Sequence, residues 1–402
     1  MTAQQSKSLP GEGARSAAAV RDVVSSFQRQ VIDLACQISA IPAPTNNEHQ
    51  RSRFVAEQMA MPHLVDVTVD ELGDVIGRIP GRKRAPALLL AAHLDTVFPS
   101  GTALDVNRSN GRVAGPGIGD NSLGVASVLT LPKLLAQLDV VPEVDILLTG
   151  NVGEEGLGNL RGIRSVMDRY PEIGAVIAVE GHNLGRVTHV AVGSRRLRVR
   201  VSGPGGHSWG DFGNASAIHA AADIVSELAR LPLPTSPKTT LNVGTFNGGI
   251  SVNTIAPEAS FVLDLRSVDE AALRRLSERV DAILRAPRAN ITTMVEVLGV
   301  RPAGVVSPAS RIVRLAIETL ESMGISPTGD ASSTDANIPI SRGIPAVCIG
   351  LTTGGHVHRE DEFIDVGPVA SGLTQLVLLS LAVTAELGTG SIAPIGAKKR
   401  VF

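Results

Sequence analysis

The chain has 402 residues, enough for two or three domains and a substantial core. A formal net charge of −2 gives no global basic field, and one Trp and one Tyr leave little to stack on bases, so the composition excludes an obvious nucleic-acid partner. Hydrophobic content is ordinary at 43%, and no membrane partner is expected, because no apolar run reads as long enough to span a bilayer.

Met1 to Ala19 is rich in Ser, Gly, Ala and Gln, lacks the apolar core of a signal peptide, and is expected to be a disordered lead-in, residues 1–19. A helix is expected from about Val20 to Ile41, with Phe27, Val31, Leu34 and Ile38 on one face and Pro42 and Pro44 ending it. A second helix follows near Glu48–Met59, then short strands at Leu64–Val69 and Val75–Ile79. The run from Leu88 to Val97 reads as a buried strand, whose side-chain period of two places His93 and Asp95 on one face. Burying both is costly unless something compensates them, and a metal ion does so. A Gly-rich loop, Gly111 to Gly119, leads to Asp120 and a helix from Asn121 to Leu138. Strands at Val144–Thr149 and Ala175–Val179 run into Gly153-Glu154-Glu155-Gly156 and Glu180-Gly181-His182. Alternating strands and helices predict an α/β fold with a central, mostly parallel sheet flanked by helices, and function in such sheets collects at the carboxyl ends of strands.

The texture changes near Val187. Strands at Leu197–Val201, Thr240–Phe246, Ala259–Leu265 and Ile291–Leu298, with helices at Ala215–Leu231 and Val268–Leu284, give the order of a two-layer α+β unit. Residues 187–301 are therefore expected to be an inserted domain, and 20–186 with 302–387 the α/β domain that it interrupts. Its second part carries a helix at Ser310–Met323, a buried strand at Ala346–Gly350 and a last helix at Val369–Leu387, with Pro368 suited to the first turn. Residues 388–402 are expected to be a loose tail. Cys36 and Cys348 lie in apolar surroundings and read as buried free thiols, which fits a cytoplasmic location.

Each polar residue at a strand end has a plain structural reading. A lone His after a strand is commonly structural, although Asp95, two residues on, would fix the ring of His93. Asp120 ahead of a helix would serve as an N-cap. The Gly115-Pro-Gly-Ile-Gly119 loop lacks the Lys-Ser/Thr of a phosphate-binding loop and the dinucleotide spacing. Glu154-Glu155 is more informative: adjacent carboxylates repel, while Gly153 and Gly156 let the backbone aim both at one centre. With Glu180, and with His356 and His358 in the segment Gly354–Phe363, the chain offers donors for a two-metal hydrolytic site and a spare glutamate as base.

The ordered set His93-Leu-Asp95, Gly119-Asp120, Gly153-Glu-Glu-Gly156, Glu180-Gly181, Gly205-Gly-His207, Asn253 through Arg266, and His358 ahead of Glu362-Phe363 resembles the dinuclear zinc amidohydrolases. That group includes peptidase T, carboxypeptidase G, acetylornithine deacetylase, succinyl-diaminopimelate desuccinylase and aminoacylase, and the resemblance runs from about Val20 to Leu387. It implies two Zn2+ per subunit, with Co2+ or Mn2+ as alternative occupants. His93 and Glu180 would hold one metal, Glu155 and His358 the other, and Asp120 would bridge them. Asp95 would orient His93, and Glu154 would be the general base. His358 is preferred to His356 because the family's ligand histidine sits shortly before a Glu-aromatic pair, and Glu362-Phe363 fits that spacing from His358. Asn121-Ser122-Leu123-Gly124 departs from the Asp/Met-Lys-Gly that follows the bridging aspartate in many relatives.

The resemblance also makes the inserted domain a lid and dimerisation domain, giving a homodimer in which His207 reaches the partner subunit's site across a twofold axis. Without the resemblance His207 reads as a loop histidine. Asn253 and Arg266 would contact the substrate's carboxylate or carbonyl, an arginine fork being suited to a carboxylate, while Asp264 leaves open a structural ion pair with Arg266. The implied activity is hydrolysis of an amide bond in short peptides, of the aminopeptidase or peptidase T kind, toward which Asp335-Ala-Asn337 leans. An N-acyl-amino-acid deacylase is the alternative, and a non-catalytic peptide or amino-acid binding protein is a third reading.

Overall fold

The computed structural model describes residues 17–392. The expected lead-in and tail therefore lie mostly outside the described residues. The chain divides into two compact units, one of Met1–His189 with Val306–Phe402 and one of Val190–Val305.

In the first unit α1 (Ala17–Ser39) starts ahead of the expected helix and buries Val20, Val24, Val31, Ala35 and Ile38, a helical spacing. Helix α2 (His49–Met59) and strands β1 (Val65–Val69) and β2 (Val75–Ile79) follow. The pivotal strand β3 is Lys83–His93, so it ends on the histidine. Asp95 lies just beyond it, outside any strand, so its contact with His93 is not made by the pleat of a strand running to Val97. The start of the expected Gly-rich loop is itself half of a hairpin, β4 (Asn107–Ser109) with β5 (Arg112–Ala114). Asn110 and Gly111 make its two-residue turn with φ of 50° and 74°, the left-handed pair such a hairpin requires. Helix α3 (Leu123–Gln137), β6 (Val144–Asn151), α4 (Arg161–Arg169), β7 (Ile173–Glu180) and β8 (Arg186–Ala191) complete this half, the last strand carrying the chain into the second unit.

The second unit contains β9 (Gly193–Ser202), β10 (Gly206–His207), α5 (Ala217–Ala229), β11 (Thr239–Gly248), β12 (Thr254–Ile255), β13 (Glu258–Ser267), α6 (Glu270–Arg285), β14 (Thr292–Arg301) and β15 (Gly304–Val305). Its four-stranded antiparallel sheet has the order β11-β13-β9-β14. Leu197, Val199, Phe261 and Leu263 from the sheet pack with Ile224, Leu228, Leu276 and Val280 from the two helices in one core. Strand β15 pairs with Val190 and Ala191.

The first unit resumes with α7 (Arg311–Ser322), β16 (Thr328–Ser332), α8 (Asn337–Ser341), β17 (Ala346–Gly350), β18 (Gly354–Gly355), β19 (Phe363–Asp365) and α9 (Val369–Thr389). Its large sheet runs β1-β2-β6-β3-β7-β17-β8, with β16 beside β8. The four central strands β6, β3, β7 and β17 are parallel and the flanking pairings antiparallel, so the sheet is mixed around a parallel middle. Strands β6, β7 and β17 are buried almost throughout and β3 from Ala87 onward, as strands covered on both faces must be. Helices α1, α3 and α9 pack together over β3. Contrary to the sequence expectation, α9 is long and apolar enough by length and composition to cross a membrane, but 78% of its apolar window is buried inside the unit, as in a core helix.

The register of the parallel strands matters most for the site. His93 pairs with Asn151, and Gly350 with Glu180, so the carboxyl ends of the four strands finish in one row. Every loop that carries a candidate ligand from this sheet leaves from that row.

Candidate metal centre

His93 ends β3 with its ring buried, held from behind by Asp95: Nδ1 is 3.1 Å from the Asp95 carbonyl oxygen and 3.6 Å from Oδ1. This contact leaves Nε2 facing the row, 3.0 Å from Asp120 Oδ1 and 3.7 Å from Glu180 Oε2. The Asp95 carboxylate also accepts the backbone N–H groups of Glu154 and Glu155, each at 2.9 Å, and the Thr45 hydroxyl at 2.9 Å. One buried aspartate thus fixes both the histidine and the Glu-Glu turn. Glu154 and Glu155 are both buried.

On the other side His358 Nε2 lies 3.1 Å from Asp120 Oδ2 and 3.1 Å from Glu155 Oε1. His356 instead pairs with Asp361 at 2.9 Å and belongs to neither group of donors. The result is two donor triads, His93–Asp120–Glu180 and Asp120–Glu155–His358, each with its ligand atoms within 4.8 Å of one another. They share Asp120, whose two oxygens face opposite histidines. Glu154 belongs to neither triad.

The protonation of these groups follows from their crowding. Burial pushes the Asp120 carboxyl up, but its hydrogen bonds with His358 and His93 outweigh that and hold it well below the usual carboxylate range. Asp95 is likewise pushed up by burial and brought below its ordinary value by His93 and the two amides. Burial raises Glu155 to about 7 and Glu180 to about 6. Hydrogen bonds to Asp120 and Glu155 raise His358 to about 10. Burial works against the charged form of His93, yet the Glu180 charge and the Asp120 contact carry it well above the ordinary imidazole value. In the metal-free chain, then, protons on the histidines stand where cations would neutralise the carboxylates. Imidazole and carboxylate donors in two triads with one shared carboxylate fit a pair of borderline or hard divalent metals.

One prediction follows from the sign of these shifts. The folded metal-free chain holds the His358 proton more tightly than the unfolded chain, so that stabilisation is complete below pH 6.5 and is lost as the pH rises through about 10. Glu155, raised to about 7, acts in the same direction over a lower window. Melting temperature measured in chelator should therefore fall between about pH 6 and 10, and a flat or rising profile would contradict the pairing.

The other sequence candidates lie in the second unit. His207 pairs with Thr254 in the short β10–β12 ladder, and Ser208 N–H donates to the Asn253 carbonyl at 3.0 Å, so His207 and Asn253 are neighbours. The His207 loop is pinned: its N–H donates to Asp211 Oδ2 at 2.7 Å, and its Nδ1 accepts from the N–H groups of Trp209 and Gly210, both at 3.2 Å. With Nδ1 accepting, the ring proton sits on Nε2. Arg266 is paired with Asp264 at 2.7 Å, the ion pair the sequence left open, and is not joined to His207 or Asn253 by any hydrogen bond among the described residues.

Sequence reasoning gave no role to Glu362, His182, Asn151 or, beyond a leaning on substrate, Asp335. Asn151 ends β6 and donates through Nδ2 to Asp335 Oδ2 at 2.8 Å; burial, reinforced by the Glu154 charge, lifts Asp335 to about 8. His182 lies two residues past Glu180 and bonds Glu362 at 2.9 Å. The available signal was position: three of them follow a strand end or a candidate ligand. Cys36 is corrected: it is only partly buried and receives Arg108 Nη2 at 3.1 Å, whereas Cys348 is buried as expected.

Residues 74–189 match peptidase family M28, and residues 191–292 match the peptidase dimerisation domain; together the matches cover more than half of the chain. Both matched domains are those of metallopeptidases, consistent with the dinuclear metallopeptidase superfamily. By class it is a metallopeptidase or amidohydrolase enzyme. Its fold is similar to that of aminopeptidase PepT from Bacillus cereus, with a TM-score of 0.74 and 20% identity over 89% of this chain and 98% of that one. A dinuclear metal-binding peptidase of family M20 from Bacillus subtilis superposes with a TM-score of 0.66 and 16% identity, over 90% and 99% of the two chains. In sequence, the succinyl-diaminopimelate desuccinylase of Corynebacterium glutamicum is 26% identical over 200 residues, 49% of this chain and 54% of that enzyme. Across other curated relatives the matched stretch spans from 43% to 81% of their length.

Proposed function

We propose that this metallopeptidase cleaves an amide bond of short peptides at a two-metal centre, with Glu154 as general base. The observation that carries the reading is Asp120 shared between two donor triads, with Glu154 beside them and in neither. His93 and Glu180 would hold one metal, Glu155 and His358 the other, and Asp120 both. When bound, such a pair supplies a Lewis-acid pole for the scissile carbonyl and lowers the pKa of the attacking water. Zn2+ suits the donors, and Co2+ or Mn2+ would serve.

The chain's own residues do the rest. Asp95 orients His93 and fixes the Glu154 backbone, so the base is held in place before substrate arrives. Glu154 takes the proton of the attacking water and returns it to the leaving amine. His207, with its proton on Nε2, donates to the developing oxyanion, a contribution typically on the order of 10²–10³ in rate. Asn253 would contact the substrate alongside it. Arg266 is bound to Asp264 and would need to leave that pair to meet a substrate carboxylate. The match of residues 191–292 to a peptidase dimerisation domain supports a homodimer formed through this region. In such a dimer His207 would serve the partner subunit.

The kinship to PepT favours free peptides; the desuccinylase relative favours the second reading, N-acyl amino acids. Metal-loaded protein assayed on free di- and tripeptides beside N-acetyl and N-succinyl amino acids separates them. Cleavage of the free peptides is expected. Cleavage confined to the acylated panel would reassign the substrate, and uptake of metal without cleavage of either would favour a binding protein.

A further inference from the structure

Glu362 is fully buried, so no substrate can reach it. Its Oε1 accepts the N–H groups of Gly119 and Asp120, both at 2.8 Å, and lies 2.9 Å from His182 Nε2. Its Oε2 accepts the N–H of Gly117 at 3.2 Å, and its carbonyl accepts that of Gly115 at 2.8 Å. These partners belong to separate stretches of chain. Gly115 to Asp120 is the loop that ends on the shared aspartate. His182 follows Glu180 at the end of β7. Glu362 itself lies just past His358, and its N–H donates to the Arg359 carbonyl at 3.1 Å.

The packing around this knot leaves no slack. A Cβ on Gly119 would fall 2.1 Å from His182 Nε2, and one on Gly181 would fall 2.2 Å from the Gly119 carbonyl oxygen. A buried carboxylate is retained only where hydrogen bonds replace its lost hydration, and here four donors do so. All four bind this carboxylate to loops that carry donors of both triads.

We propose that Glu362 is a positioning residue for both metals: it ties the Asp120 loop, the end of β7 and the His358 segment into one block. The proposal rests on the two-metal reading above. It distinguishes Glu362 from a ligand such as Glu180 or Glu155, whose loss acts first on its own centre. Loosening this block weakens both centres together, because the shared Asp120 and one further ligand of each triad hang from it.

The test uses the full chain, stripped of metal and titrated with Co2+ against a competing chelator, with the visible absorption of the bound ion recorded alongside. Wild type should take up two equivalents. Glu362→Gln, which keeps an oxygen for the backbone amides but sets an NH2 group against a donor, should lose roughly tenfold or more in affinity at both centres, and Glu362→Ala more. The Co2+ spectrum should shift while KM for the substrate stays close to wild type. His182→Gln removes one partner from the other side and should move both affinities in the same direction by less, which keeps the test decisive should the Glu362 variants fail to fold. Folded variants with both affinities within threefold of wild type, or with only one centre affected, would overturn the proposal. A wild-type chain that binds no Co2+ would overturn the two-metal reading itself.

Discussion

Glu154→Gln is expected to keep two equivalents of metal and to lose about 10²–10⁴-fold in turnover, the share that a general base ordinarily supplies. The substitution is close to isosteric, and one contact that holds this residue is made by its backbone: the Glu154 N–H donates to Asp95 Oδ1 at 2.9 Å whatever the side chain is. Neither donor triad includes Glu154, so the ligand set is untouched. What changes is the ability to accept a proton, since an amide oxygen is a far weaker base than a carboxylate. Metal content measured beside kcat checks both halves. Turnover within about tenfold of wild type would remove Glu154 from the role, because it falls below the effect a base contributes. Loss of metal together with activity would make Glu154 a ligand rather than a base.

The parts of the fold that were legible are those where burial writes a pattern into the chain. Leu88–Ala92, Ile146–Leu148, Ala175–Val179 and Ala346–Gly350 are continuous apolar runs because both faces of the central strands are covered. The short strands were not legible: Phe363–Asp365 and Gly354–Gly355 are too brief to carry a period, and Arg186–Ala191 mixes charge with its buried positions. Helix α4 escaped notice because its buried Ile163, Val166 and Met167 are interleaved with arginines at 161, 164 and 169. The Asn110-Gly111 turn was a missed signal of the ordinary kind, since Asn-Gly between short runs is a hairpin mark.

The donor residues were visible for a different reason. A carboxylate or imidazole placed at the end of an apolar strand is expensive, so its presence is informative. The structure brings His93, Asp120, Glu155, Glu180 and His358 to one place and leaves His356 outside it. Supporting residues carry no such mark. Glu362 is one acidic residue in a run of four charged ones from Arg359 to Glu362, and only its tertiary partners, distant in the chain, separate it from its exposed neighbours. The same holds for Asn151 and Asp335, whose pairing joins the end of β6 to a loop nearly two hundred residues on.

Asp120→Asn should be the more damaging change, because it acts on both triads at once. Asp120 offers Oδ1 at 3.0 Å from His93 Nε2 and Oδ2 at 3.1 Å from His358 Nε2, so neither oxygen is spare. Asparagine preserves the size and one oxygen, but its other terminal atom is a donor that cannot ligate a cation. One centre keeps a weakened ligand and the other loses it, so metal content should fall from two equivalents toward about one. A bound metal typically contributes several kcal/mol of transition-state stabilisation, so turnover should drop by roughly 10³ or more. In the metal-free chain the variant removes the charge that sustains protonated His358, so the fall in melting temperature with rising pH should become shallower than in wild type. These readouts separate Asp120 from Glu154: both variants lose turnover, but only this one loses metal and flattens the pH profile. An Asp120→Asn protein that retained two tightly bound metals and near-wild-type turnover would show that the two centres do not share this carboxylate.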